Sequence, residues 1–309
     1  MKRINVYFRW LIVAAVLGFL SRTLWLHWQE VAHVQISARG WRYLGLSLLL
    51  TLGAHGFAGW VWGWILQECQ QPMSGLWSTR VYLITNLAKY LPGNIWHFYG
   101  RIRACQAVGI SLETALLSVL LEPVLMAAAA LTLALLGLQS IAQVLPPLVL
   151  GVPLLAWGAI LAGIQPGVLN RLLHYTSRKK QRSLAQQGLE IQAQVRMQTY
   201  PLGPLVGELI FLGLRGTGFI VAWMAIQPVS WTQLPLLYSS FSAAWLLGLI
   251  VPGLPGGVGL FEAVMLALLK TQIATGPLLT ILALYRLINT LAEALGAGLA
   301  SLRPAIKHQ

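Results

Sequence analysis

Apolar runs of membrane-crossing length, separated by short polar stretches, repeat along nearly the whole chain. A helix that crosses a bilayer needs about 20 predominantly apolar residues, each adding about 1.5 Å of rise. By that rule spans are expected over 6–26, 44–66, 110–138, 141–164, 202–226, 234–251 and 278–302. The run at 257–269 is too short for an upright span and reads as a half-helix or one leg of a broken helix. Residues 81–96 are moderately apolar but hold Asn86, Lys89, Pro92 and Asn94, which suits a re-entrant or interfacial helix. Pro146, Pro147 and Pro153 mark 141–164 as the span to kink, because proline removes a backbone donor and crowds the preceding turn.

The pattern therefore predicts an all-α, polytopic integral membrane protein, one membrane domain over 1–309, with about eight transmembrane helices. Two of its elements are broken or re-entrant. Leu91-Pro92-Gly93-Asn94-Ile95 and Leu254-Pro255-Gly256-Gly257-Val258 put the same Leu-Pro-Gly sequence inside two apolar regions. In lipid a broken backbone is tolerated only where protein buries it or where it lines a wet cavity, since freed N–H and C=O groups are otherwise costly. Paired interruptions point to a transport-type site, and two independent kinks are the plainer alternative.

Charged residues sharpen this picture. Glu113, Glu122, Glu208, Glu262, Glu293, Arg215 and Arg286 fall inside the apolar segments. A charge at mid-bilayer costs about 2.5–3.5 kcal/mol on insertion scales, so these groups should face one another or a wet cavity. Glu208 and Arg215 are seven residues apart on one helix, and Arg286 and Glu293 seven apart on another in reverse order, so each pair shares a helix face. If the two helices run antiparallel as neighbours, Glu208 meets Arg286 or Glu293 meets Arg215. Structural salt bridges that fix helix register are the competing explanation. Charge and backbone irregularity nonetheless coincide twice, Lys89 before the first break and Glu262 after the second.

Helices that restart after Gly93 and Gly257 would turn unpaired N–H groups and a positive dipole end towards the break, which suits an anion such as a lipid phosphate. Lys89, Arg101, Arg215 and Arg286 can add charge-assisted contacts, and Trp96 can pack on a lipid chain. The glutamates can bind an amine or carry a proton. Gly53, Gly56, Gly59, Gly63, Gly213, Gly216, Gly218, Gly296 and Gly298 read as close helix contacts. His55, among the first of them, reads as an interhelical hydrogen-bonding residue. Trp10, Trp25, Trp28, Trp41, Trp77 and Trp231 read as an interfacial belt.

Composition agrees with the pattern. The 309 residues are 57% hydrophobic and 9% charged, with a mean hydropathy of +0.69. The net charge of +13 lies in loops between apolar runs and forms no nucleic-acid face. Every acidic residue is glutamate, which excludes Asp-based metal and nucleotide-sugar motifs; no metal and no cofactor is expected. Cys69 and Cys105 read as reduced, structural thiols. The segment 165–201 carries Arg171, Arg178, Lys179, Lys180, Arg182 and Arg196 against Glu190 alone, so it is expected to be a basic cytoplasmic loop. Lys2, Arg3 and Arg9 precede the first run without a cleavage pattern, which makes that run an uncleaved span with a cytoplasmic N-terminus. Eight crossings return Arg303 and Lys307 to the cytoplasm.

Lys89-Tyr90-Leu91-Pro92-Gly93-Asn94-Ile95-Trp96 with Gly100-Arg101, then Gly109 and Glu122, then Pro252-Gly253-Leu254-Pro255-Gly256-Gly257-Val258-Gly259 with Glu262, resembles the lysylphosphatidylglycerol synthase transmembrane region family. The resemblance covers nearly the whole chain and is most specific over Pro-Gly-Gly-x-Gly-x-x-Glu. It implies a bacterial inner-membrane lipid flippase whose modifying chemistry, where present, belongs to a separate soluble domain. None is found before Gln309, so a separate lipid-modifying enzyme is the implied partner. Asn94 stands where a second glycine is common. The substrate is then an amphiphilic, phosphate-bearing lipid, aminoacylated or not, and the protein a transporter with no catalytic residue. Lys89, Pro92, Gly93, Asn94, Trp96, Arg101, Glu122, Glu208, Arg215, Pro255, Gly256, Gly257, Glu262, Arg286 and Glu293 are the expected substrate-binding residues. The rival is a membrane-embedded glycosyltransferase acting on a lipid-linked sugar, with a glutamate as general base.

Overall fold

The computed structural model describes residues 25, 28–33, 35–91, 95–137, 147–171, 197–251, 257 and 259–302. Among these the regular structure is helical: α1 Trp28–Ala32, α2 Ala38–Glu68, α3 Gly75–Asn86, α4 Trp96–Ala107, α5 Leu112–Leu136, α6 Pro147–Gly163, α7 Leu202–Trp223, α8 Leu234–Ile250, α9 Leu260–Leu269 and α10 Thr275–Leu302. Short 3-10 turns cover Leu87–Tyr90 and Trp231–Gln233. Five helices are long and apolar enough to cross a membrane: α2, α5, α7, α8 with the turn before it, and α10. The first expected span, most of the basic loop, and Arg303 and Lys307 lie outside the described residues.

Several helices begin earlier than their apolar runs, because polar caps set the starts. The Ser37 hydroxyl accepts the Gly40 N–H at 3.1 Å and opens α2 ahead of the apolar stretch. Ser74 accepts the Trp77 N–H at 3.2 Å, so α3 starts at Gly75, before the run at 81–96. Ser111 likewise accepts the Thr114 N–H and sets the head of α5 at Leu112, two residues inside its apolar run. Each side chain satisfies one of the N–H groups that a helix start leaves open.

α2 is the central post, packed against α3, α5, α7 and α10. Its approach to α3 depends on two small residues. A Cβ on Gly59 would lie 2.6 Å from Thr79 Cα, and one on Gly63 would lie 2.5 Å from Ser78 Oγ. Gly218 of α7 would meet Thr51, Gly216 would meet Tyr238, and Gly296 of α10 would meet Leu83. Gly53, Gly56, Gly213 and Gly298 have open space, so the expected small-residue contacts form at only part of the set. Gly59→Ala is expected to lower unfolding stability in detergent by about 1–3 kcal/mol, the usual cost of overpacking, because a backbone atom blocks the new methyl. Gly53→Ala, with nothing within 4 Å, should leave the melting curve in place.

The tryptophan belt is partly corrected. Trp25, Trp28, Trp41 and Trp231 are exposed, whereas Trp77 is buried and stacks on Trp62 with ring centroids 5.8 Å apart. Cys69 and Cys105 are free and buried. Burial pushes both thiols up to about 12, which keeps them as unreactive packing groups.

Candidate functional site

Residues on either side of the two Leu-Pro-Gly motifs line one cavity, Lys89 and His97 beside the first and Ile250 and Gly257 beside the second. The first lies between the 3-10 turn ending at Tyr90 and the start of α4 at Trp96; its Pro92, Gly93 and Asn94 are outside the described residues. The second lies between α8 and α9; Pro255 and Gly256 are outside the described residues, and Gly257 is inside them. Gly257 and Gly259 have φ of 67° and 86°, a region that L side chains rarely adopt. The chain there also runs close to α8: a Cβ on Gly257 would sit 3.2 Å from Gly248 Cα.

The cavity holds about 580 Å³ and is walled by parts of α2 to α10. Its polar wall carries Lys89, Arg101, Glu122, Arg215, Glu262 and Arg286, all expected from the sequence. Its apolar wall includes Phe211, Trp245, Leu249 and Phe261, and it reaches the exterior at Val124 and Ile250, which are 40% and 60% exposed. One enclosure thus joins a charged end to an oily flank.

Three ion pairs organise the charged end. Arg101 of α4 pairs with Glu122 of α5, both 2% exposed. The guanidinium also lies over the Tyr82 ring at 3.8 Å and near Trp62 at 5.8 Å. Pro123, directly after Glu122, interrupts the helix ladder at the cavity wall. Arg286 of α10 pairs with Glu262 of α9, its Nε donating at 2.8 Å. Glu262 in turn accepts the Gly259 N–H at 2.6 Å, so one carboxylate both caps α9 and holds it to α10. Lys89 Nζ donates to Glu293 at 2.6 Å, which ties the turn before the first motif to α10. Lys89, ahead of the first motif, and Glu262, after the second, are therefore tied to one helix by residues seven positions apart.

Glu293 lies behind the cavity wall. It accepts from Asn289 Nδ2 at 3.0 Å and stands 3.3 Å from His55 Nε2. The same histidine nitrogen is 3.1 Å from Asn289 Oδ1 and 3.2 Å from Arg215. Arg215 Nε donates to the Tyr285 hydroxyl at 3.1 Å, and that hydroxyl donates to the Arg215 carbonyl at 3.0 Å. Arg215 is 7% exposed. Among the described residues no carboxylate comes within 4 Å of it.

The sequence reading of charge pairing is corrected at this point. Glu208 does not pair with Arg286, which Glu262 takes, and Glu293 pairs with Lys89 and stands across His55 from Arg215. A Glu208→Arg, Arg286→Glu exchange is therefore not expected to rescue either single change. Glu208 is fully buried and outside the cavity lining. Trp96 is also outside the lining, 46% exposed and edge-on to Tyr99. Glu113 is exposed in the first turn of α5.

Sequence reasoning did not single out Tyr82, Tyr285 and Asn289. Tyr285, Asn289 and Glu293 recur at four-residue intervals on α10, the spacing of one helix face, and that pattern was readable. Two titratable groups outside the spans also line the cavity. His97 is pulled down to about 3 by burial and by the Arg101 and Lys89 charges, so it is neutral. Burial lowers the Lys89 ammonium from its ordinary value, against the upward pull of Glu293. Among the described residues no group of three or more metal-ligating side chains is gathered.

The family model for the lysylphosphatidylglycerol synthase TM region matches residues 7–296. No curated protein matches the chain.

Proposed function

Because the chain belongs to the lysylphosphatidylglycerol synthase TM region family, whose function is tied to membrane lipids, we propose that it moves a phosphate-bearing amphiphile between leaflets. The observation that carries this reading is Arg215, a buried cation in the cavity wall with no carboxylate within 4 Å among the described residues, Glu293 standing beyond His55 and already holding Lys89. An uncompensated buried charge is costly unless something pairs with it. A headgroup phosphate supplies that charge, and an acyl chain fits along Val124, Trp245, Leu249 and Ile250.

Charge balance also narrows the headgroup. Lys89, Arg101, Arg215 and Arg286 stand against Glu122, Glu262 and Glu293, each of those carboxylates already holding a cation. A phosphate with no excess amine fits this excess of positive charge better than a cationic, aminoacylated headgroup does. In this reading the 6–26 run, α6 and the α9 leg complete eight crossings of a bacterial plasma membrane, both termini lie in the cytoplasm, and any lipid modification falls to a separate enzyme.

The test is transbilayer movement of headgroup-labelled lipids in liposomes carrying the purified protein. Anionic phospholipids are expected to cross faster than in protein-free liposomes, and aminoacylated ones more slowly than anionic ones. Folded protein that moves neither would overturn the proposal. Sugar transfer from a lipid-linked donor would replace it with the glycosyltransferase reading, although Glu122 and Glu262, the carboxylates lining the cavity, are both held in ion pairs and poorly placed as free bases.

A further inference from the structure

Glu208, in the second turn of α7, is 0% exposed, and neither carboxylate oxygen has a hydrogen-bond partner. The charged groups that act on it are Glu122 and Arg101. Glu122 is already paired with Arg101, and among the described residues no cation comes within 4 Å of Glu208, so the nearby guanidinium is committed to Glu122, with every member of the cluster at most 2% exposed. Among the described residues the other cations on α7 and its neighbours are engaged or distant: Arg215 is held by Tyr285 and His55, Arg286 of α10 by Glu262, and Arg39 and Arg42 sit at the start of α2, which packs by Ala225 at the other end of α7. From α2, Glu68 accepts from Thr199 and His55 is engaged with Arg215, Asn289 and Glu293. From α10, Tyr285 is held by Arg215, and from α8, Tyr238 bonds Thr217. Tyr82 of α3 lies under Arg101.

Two buried carboxylates on one buried cation leave a negative charge with neither solvent nor partner, which is among the most expensive arrangements a protein can hold. A neutral acid at Glu208 removes that charge. We propose that Glu208 is a proton-binding site that adjoins the cavity, linked to it through Arg101, and that the bound proton travels with the lipid anion. The coupling rests on the lipid-translocation reading, whereas the proton site does not.

The link is electrostatic. The Arg101 guanidinium lines the cavity, holds Glu122, and its charge is felt by Glu208 on one side and by an incoming headgroup phosphate on the other. An anion arriving at Arg101 adds negative charge to the cluster and favours a protonated Glu208. Loss of that proton to water on the far side leaves a carboxylate that competes for Arg101 and helps to expel the anion. No electrons move, and the only bond made and broken is the carboxyl O–H.

Infrared spectroscopy of the purified protein at neutral pH tests the site without any transport assay. A carboxylic-acid C=O band is expected in the wild type and lost in Glu208→Gln, which should fold because a neutral amide replaces a neutral acid. Absence of the band from the wild type, or its loss in Glu122→Gln instead, would overturn the assignment. Coupling is then read in liposomes with a labelled anionic phospholipid. An imposed pH gradient is expected to speed wild-type movement several-fold, while Glu208→Gln shows one rate with or without it. A Glu208→Gln protein that still responds to the gradient, or wild-type movement that ignores it, would overturn the coupling. A present, Glu208-dependent band with no lipid movement at all would overturn the lipid reading and leave the proton site standing.

Discussion

Arg101→Met is expected to destabilise the protein by about 3–5 kcal/mol, the usual cost of removing one partner of a buried ion pair. Arg101 and Glu122 are each 2% exposed, so neither can turn to solvent when the other is lost. Glu122 would be left as an uncompensated carboxylate beside the fully buried Glu208, which already lacks a partner. The guanidinium also fills the space between the Tyr82 and Trp62 rings, so the loss includes packing and cation–π attraction. Adding Glu122→Leu should recover most of the stability, because removing both charges leaves no orphan. Unfolding in detergent, followed by tryptophan fluorescence for the wild type, both single variants and the double variant, measures the coupling. Equal and additive losses would mean that the pair contributes no more than its separate contacts.

How much of this was readable beforehand varies with the kind of contact. The apolar runs located the helices, since burial in lipid imposes length and composition directly. Their starts followed Ser37, Ser74 and Ser111, and the first two of these caps extend helices into polar sequence. The residues that would meet at the cavity were mostly legible, because a charge in an apolar helix has few tolerable places to go. Their partners were not. Spacing put Arg286 and Glu293 on one face of α10, and that much holds. Which carboxylate reaches Arg286 depends on where α9 restarts, and which cation reaches Glu293 depends on how the 3-10 turn folds back. Both are set by tertiary packing that one-dimensional spacing does not contain. Trp77 shows the same limit: a tryptophan near a helix end reads as interfacial until Trp62 is seen to cover it.

Arg215→Gln should act in the opposite way to Arg101→Met, with a large effect on lipid handling and a small one on stability. Its loss strands no carboxylate, because none lies within 4 Å among the described residues, and Glu293 keeps Lys89. What the fold gives up is the hydrogen bond to Tyr285 and the contact with His55. A bound anion would give up a charge-assisted hydrogen bond worth roughly 1.5–3 kcal/mol. That corresponds to about a ten- to hundredfold loss of apparent affinity for an anionic lipid. Arg215→Lys retains the charge but presents a point donor without the planar fork, so it should fall between wild type and Gln. Labelled-lipid titrations beside melting curves separate the two readouts. Weak binding with an unchanged melt marks Arg215 as the phosphate anchor. A collapsed melt in both variants would make it a structural cation, and the excess positive charge of the cavity would then need another explanation than a lipid phosphate.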